Sequence, residues 1–119
     1  MRLIIAGGRE FNSYTLLKSE VLAWVDSLGL DLCNIEIVSG MARGADSLGL
    51  QLAEEFQLKV KCFPANWEKF GKRAGYIRNA EMAAYSDALI AFWDGKSKGT
   101  AQMIEISKKS LGKVKVVLY

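Results

Sequence analysis

The sequence predicts a three-layer α/β domain, Rossmann-like, with a five-stranded, mostly parallel sheet. Short apolar runs alternate with segments of helical periodicity along the chain, which is the pattern of a parallel α/β sheet. The 119 residues are enough for one hydrophobic core and too few for two. Because crossovers between parallel strands are right-handed, few topologies remain. We expect the strand order 3-2-1-4-5 in a single domain over residues 1–119.

Five apolar runs of four to six residues predict the strands, because each contains β-branched or aromatic residues. They span residues 3–6, 35–38, 60–63, 88–93 and 114–118. Between them, apolar residues recur at helical spacing and predict helices over residues 14–28, 42–56, 72–85 and 100–111. Gly29 and Gly112 stand directly after the first and the last of these segments, where they act as helix stop signals.

Several classes of site are excluded by the residue composition. The chain has no histidine, which removes Ser-His and Cys-His catalytic pairs and histidine-containing zinc sites. Cys33 and Cys62 form no CxxC motif, and we interpret them as small buried hydrophobic side chains. The sequence therefore predicts no metal site and no disulfide, and it specifies no cofactor.

The net charge of +3 is mildly basic, which suits an anionic ligand but is too small to indicate nucleic-acid binding by itself. No apolar run approaches the ~20 residues that span a membrane. We therefore expect a cytoplasmic protein with no membrane partner.

The loops after the first two predicted strands combine glycine with arginine. In residues 7–11, paired glycines allow backbone N–H groups to approach a ligand, and an arginine can bind phosphate or carboxylate. Residues 39–46 run directly into a helix, whose N-terminus favours an anion by roughly 0.3–1 kcal/mol. The candidate ligand-binding residues here are Gly7, Gly8, Arg9, Ser39, Gly40, Arg43, Gly44 and Asp46. Asp46 is interpreted either as a contact to a ribose hydroxyl or as an acid that the helix dipole stabilises in the first turn.

The loops after the third and fourth strands carry further polar residues. Trp67 is either a stacking surface for a base or a core residue. The remaining candidates are Arg78, Asn79, Asp94, Ser97, Lys98, Gly99 and Thr100. Neither the GxxxxGK[ST] motif of ATP-hydrolysing proteins nor the GxGxxG motif of dehydrogenases is present.

All four loops follow parallel strands, so they should meet at one edge of the sheet, where α/β proteins bind ligands. The opposite edge has no comparable cluster of glycines and arginines. Single loops of this kind are commonly plain strand-to-helix turns, but four on one edge indicate a site for a nucleotide or another phosphate-bearing ligand. In this interpretation, N–H groups around Gly8, Gly40, Gly99 and Thr100 hold phosphates, and Trp67 or Phe11 covers the base.

Five blocks of the sequence together resemble the YspA/cpYpsA-related branch of the SLOG superfamily. These blocks are residues 7–11, 39–46, 63–67, 74–82 and 91–100, in order over nearly the whole chain. The resemblance implies a Rossmann-like domain that binds nucleotides or nucleotide-derived ligands such as ADP-ribose or NAD-related molecules. It also implies an association with phages or mobile elements.

The same superfamily contains the LOG phosphoribohydrolases, which have an RKxxM-like block and a PGGxGTxxE block. Here residues 78–82 match the first block with Asn79 in place of lysine, and Gly99-Thr100 match the second, but its glutamate position is Met103. Glu105 lies two residues further on, about 200° around a helix, and should face away from the site. This departure argues against N-glycosidic hydrolysis and leaves ligand binding intact.

The favoured hypothesis is a module that binds or senses a nucleotide-like small molecule. One alternative is an enzyme that cleaves an N-glycosidic or phosphate bond of a nucleotide, with candidate acids Glu10, Asp46, Glu81 and Asp94. A second alternative, single-stranded nucleic-acid binding, is implied by a DNA-processing relative in the superfamily and by three tryptophans, although the basic charge is dispersed. The sequence leaves open whether apolar faces such as that of Trp24 pack on the sheet or form a homodimer.

Overall fold

The computed structural model describes residues 1–119 and contains one sheet of five strands. The strands are β1 (Arg2–Gly7), β2 (Glu36–Ser39), β3 (Lys59–Cys62), β4 (Ala88–Trp93) and β5 (Lys113–Leu118). Their order across the sheet is β3-β2-β1-β4-β5, and all four pairings are parallel. The predicted Rossmann-like class and strand order are therefore confirmed.

Five helices connect the strands; of the four that were predicted, the first begins at the predicted residue and the other three begin two or three residues away from it. The helices are α1 (Tyr14–Ser27), α2 (Ala45–Phe56), α3 (Trp67–Phe70), α4 (Ala74–Tyr85) and α5 (Lys98–Ser110). Helix α2 begins three residues later than predicted, because Met41 and Gly44 have φ values of 64° and 82°, which a right-handed helix excludes. The short α3 was not predicted, since four residues are too few to show helical periodicity.

The two faces of the sheet carry separate apolar clusters. Leu3 and Ile5 point to one face, where they pack with the buried residues of α1 and α2. Ile4 and Ala6 point to the other face, towards α4 and α5. Trp24 packs against the first cluster, so this side chain contributes to the domain's own core.

Two smaller features complete the description. Cys33 is exposed and Cys62 is partly exposed, so the expectation that both are buried is wrong. Cys33 lies in a 3₁₀ turn (Leu32–Asn34) outside the sheet, and Cys62 lies on an edge strand, where one side has no neighbour. None of the helices combines the length and the apolar character that crossing a membrane would need.

Candidate ligand-binding site

Two adjoining cavities open at the carboxyl ends of the strands. The first cavity has a volume of about 440 Å³, and the second has about 560 Å³. They share the wall that is formed by Arg9, Ala42, Trp67 and Arg78. Among the predicted residues, the first cavity is lined by Gly7, Gly8, Arg9, Asp46, Trp67, Arg78, Asn79, Asp94, Ser97, Gly99 and Thr100. Gly40 and Arg43 line the second cavity.

Three predicted residues line neither cavity. Ser39 is fully buried, and its hydroxyl donates to the Asp46 carbonyl (3.2 Å) and accepts from the Met41 N–H (3.1 Å), so it shapes the loop. Gly44 precedes α2 at φ 82°, and a Cβ there would lie 2.2 Å from the Gly8 carbonyl oxygen. Lys98 is exposed at the start of α5.

The glycines of the first loop line the cavity and also pack closely against neighbouring residues. The Gly8 N–H donates to the Phe92 carbonyl at 3.0 Å, so this group is not free to hold a phosphate as expected. A Cβ on Gly7 would lie 2.3 Å from the Phe92 carbonyl oxygen, and one on Gly8 would lie 1.9 Å from the Tyr119 hydroxyl. A side chain at Gly7 would therefore push the loop away from β4, whereas one at Gly8 would displace the Tyr119 side chain.

The aromatic residues considered for base stacking behave differently from one another. Phe11 is buried, and its ring stacks on that of Phe92 at a centroid distance of 4.9 Å, so it is a core residue and not a cover for a base. Trp67 is 51% exposed and lines both cavities, so its interpretation as a core residue is wrong. Of these two residues, Trp67 is the one whose aromatic face a planar ring can reach.

Asp46 lies at the base of the first cavity and is buried. Burial raises the pKa of its carboxyl to about 6, although the Arg78 charge and the backbone N–H groups of Ala42, Gly7 and Asp46 act in the opposite direction. The Ala45 N–H, directly before Asp46, donates to the Gly8 carbonyl at 3.3 Å and joins the start of α2 to the loop after β1. Asp46 therefore places a buried carboxyl in the cavity at the point where these two segments meet.

Arg78 projects from α4 between the same loops. Its Nη1 donates to the Gly40 carbonyl (2.5 Å) and its Nε donates to Asn79 Oδ1 (3.0 Å). Burial lowers the pKa of Arg78, and the carboxylate of Asp46 opposes this effect. Asn79 in turn donates to Gln102 Oε1 on α5 at 2.8 Å. Two of the five N–H donors of this arginine are therefore already used within the chain.

The N-terminus of α5 is capped by residues of its own loop. Asp94 Oδ1 accepts the N–H groups of Lys96 and Ser97, each at 2.9 Å, and these bonds lower the pKa of Asp94. The Ser97 hydroxyl accepts the Thr100 N–H at 3.5 Å. The Thr100 N–H, which was expected to bind a phosphate, is thus used to cap the helix. The N–H group of Gly99 takes part in none of these capping bonds.

Sequence reasoning missed several residues that line the first cavity. They are Ala6, Ala42, Lys72, Gly75, Tyr76 and Tyr119. Glu10, considered only as a candidate acid, and Met103, considered only as the residue at the LOG glutamate position, line it as well. Positions 72, 75, 76 and 79 follow the i, i+3, i+4, i+7 spacing of one helix face, so helical spacing could have grouped Lys72, Gly75, Tyr76 and Asn79. Tyr119 follows β5, whose carboxyl end lies at the same edge of the sheet. Burial raises the pKa of its phenol, and the charges of Asp94 and Glu10 add to the effect.

Of the four candidate acids, Glu10, Asp46 and Asp94 line the first cavity. Glu10 is exposed and forms an ion pair with Arg43 at 2.6 Å. Glu81 is exposed and lines neither cavity. Glu105 is exposed and pairs with Lys109 at 3.5 Å, so it faces away from the site as predicted. No group of three or more cysteine or acidic side chains is positioned to share a metal ion.

Two comparisons with known proteins bear on this site, one over the first part of the chain and one over nearly all of it. Residues 1–70, which include the loops after β1, β2 and β3, match the model of a family described as "YspA, cpYpsA-related SLOG family". The chain is also 33% identical over 115 residues to the Gene 61 protein of Mycobacterium phage D29. That similarity covers 92% of this chain and 90% of the phage protein, and it fits the expected association with phages or mobile elements.

Proposed function

The chain belongs to the YspA/cpYpsA-related SLOG family, and on that basis we propose that it binds a nucleotide-like small molecule in the two adjoining cavities. Membership of this family suggests a nucleotide-related function. The observation that carries the proposal is that Arg9 and the exposed indole of Trp67 line both cavities. A guanidinium suits a phosphate, and a flat aromatic face suits a base, so the two recognise complementary parts of one ligand.

The finer part of the proposal is a two-part ligand of the ADP-ribose or NAD type. Each cavity has the size of an ordinary small-molecule site, roughly 300–1,000 Å³. A molecule with two ends joined by phosphates would place its charged middle at the shared wall, beside Arg9. Arg9 takes part in none of the ion pairs of the chain, so its donors are free for that contact.

Thermal unfolding and calorimetric titration with AMP, ADP-ribose and NAD test the proposal. A ligand at 100 times its dissociation constant should add about 2.7 kcal/mol to the free energy of unfolding. Arg9→Ala and Trp67→Ala should weaken binding, whereas Arg73→Ala should not, because Arg73 is an exposed arginine outside both cavities. Absence of binding by all three compounds, or equal binding by these variants, would contradict the proposal.

A second candidate function is hydrolysis of a nucleotide bond, which the environment of Asp46 favours. A buried carboxyl with a pKa of about 6 that lines a cavity is a common feature of acid–base sites. Against it, Met103 stands in the wall where related hydrolases have glutamate. Chromatography of bound nucleotides after long incubation decides the matter: release of free base that Asp46→Asn abolishes would establish hydrolysis, and binding without turnover would remove it.

A further inference from the structure

The charges in the two cavities nearly cancel. Basic and acidic side chains both line the walls: Arg9, Arg43, Lys72 and Arg78 are basic, and Glu10, Asp46 and Asp94 are acidic. The acidic side chains therefore offset all but one of the positive charges. A site built for a strongly anionic ligand would leave its arginines unopposed.

The Glu10–Arg43 ion pair connects the two cavities. Glu10 lines the first cavity and Arg43 lines the second, and Arg43 Nη2 lies 2.6 Å from Glu10 Oε1. Both side chains are largely exposed, at 82% and 73%, so the pair is worth about 0–1 kcal/mol and can open for a ligand. Glu10 therefore contributes little to the stability of the fold, but its negative charge acts on any phosphate that approaches the junction of the cavities.

We infer that Glu10 determines ligand specificity by limiting the phosphate charge that the site accepts. Glu10 neutralises Arg43 and repels additional phosphate groups at the junction of the cavities. The site then prefers a nucleoside monophosphate or a diphosphate diester, with about two negative charges, over a triphosphate with about four. This inference rests on the proposed function, because it concerns the ligand of the same site.

Glu10→Gln isolates the charge of this residue. The glutamine amide has nearly the same size, and its oxygen can still accept a hydrogen bond from Arg43. Removal of the carboxylate should strengthen ATP binding about fivefold relative to AMP at low ionic strength. Because the effect is electrostatic and the Glu10 side chain is exposed to solvent, the gain in ATP binding should become smaller as salt is added.

The matched control is Glu105→Gln. Glu105 is also an exposed glutamate with a basic partner, Lys109 at 3.5 Å, and it lies outside both cavities. Both variants change the net charge of the protein equally. An effect of Glu10→Gln that Glu105→Gln does not reproduce therefore arises within the site.

Calorimetric titrations of the wild type and both variants with AMP, ADP-ribose and ATP complete the test. The expected result is that the wild type binds AMP and ADP-ribose more tightly than ATP, and that only Glu10→Gln narrows the difference. If ATP binds as tightly as AMP to the wild type, or if Glu10→Gln leaves their ratio unchanged, the inference is overturned while the proposed function stands. If none of the three compounds binds, the proposed function fails and this inference fails with it.

Discussion

Asp46 has a role in the structure that its position in the sequence does not reveal. An acidic residue in the first turn of a helix predicts an interaction with the helix dipole or with a ligand. Neither interpretation involves another segment of the chain. In the folded chain the Asp46 carboxyl is buried in the first cavity, where burial raises its pKa and the Arg78 charge opposes that effect. Because Arg78 comes from α4, the environment of Asp46 depends on the tertiary fold and not on α2 alone.

The same residue gives a prediction about stability and pH. The pKa of Asp46 is raised from 3.8 to about 6 in the folded protein, so the folded state holds this proton more tightly than the unfolded state. Its contribution to stability is fully present below pH 3.8 and is lost as the pH rises through about 6. Over that range the wild type should lose roughly 2–3 kcal/mol that an Asp46→Asn variant does not lose.

Urea unfolding of both proteins at several pH values between 3.5 and 7, about half a unit apart, measures this difference. Other groups contribute to the pH dependence of each protein, but their contributions cancel when the two curves are subtracted. The stability advantage of the wild type over Asp46→Asn should therefore fall with rising pH. A difference that is constant over the range, or that grows with pH, would show that burial does not dominate the environment of Asp46.

At the scale of elements, the two edge strands share a protective pattern. Both β3 and β5 begin with Lys-Val-Lys, and β3 is exposed at Lys59, Val60 and Lys61. Lysine on an edge strand opposes pairing with the edge of another molecule, because each added strand would bring like charges together. The sequence predicts both strands, but only the strand order identifies them as the two edges.

Removal of the charges on β3 should therefore promote self-association. A Lys59→Val/Lys61→Val double variant presents a continuous apolar edge, and we expect concentration-dependent growth in light scattering at neutral pH. A Lys108→Val/Lys109→Val variant is the control, since it makes the same changes on the exposed face of α5. If both variants associate equally, general hydrophobicity and not the strand edge is responsible.

At the scale of the whole molecule, sequence rules predict where the site lies better than how its side chains pair. Parallel strands carry their following loops to one edge, and for this reason residues as distant as Arg9 and Thr100 line one cavity. The pairings depend on loop conformation, which no periodic pattern encodes. Phe11 turns into the core, although the loop pattern indicated Phe11 or Trp67 as the cover for a base. Tyr119, for which the pattern indicated no role, reaches over Gly8.

This arrangement makes ligand binding a property of the entire carboxyl edge, which hydrogen exchange can detect. A ligand that contacts the loops after β1, β2, β3 and β4 should slow exchange of their amides together. With ligand at 100 times its dissociation constant, protection can rise by as much as about 100-fold where exchange requires release of the ligand. Amides at the opposite edge, such as those of Cys33 and Gly112, should change little.

Mass-spectrometric exchange with and without ADP-ribose measures both regions in one experiment, and Arg9→Ala should reduce the protection at the same ligand concentration. Protection confined to one loop, or centred on the amino ends of the strands, would contradict a single site spanning both cavities.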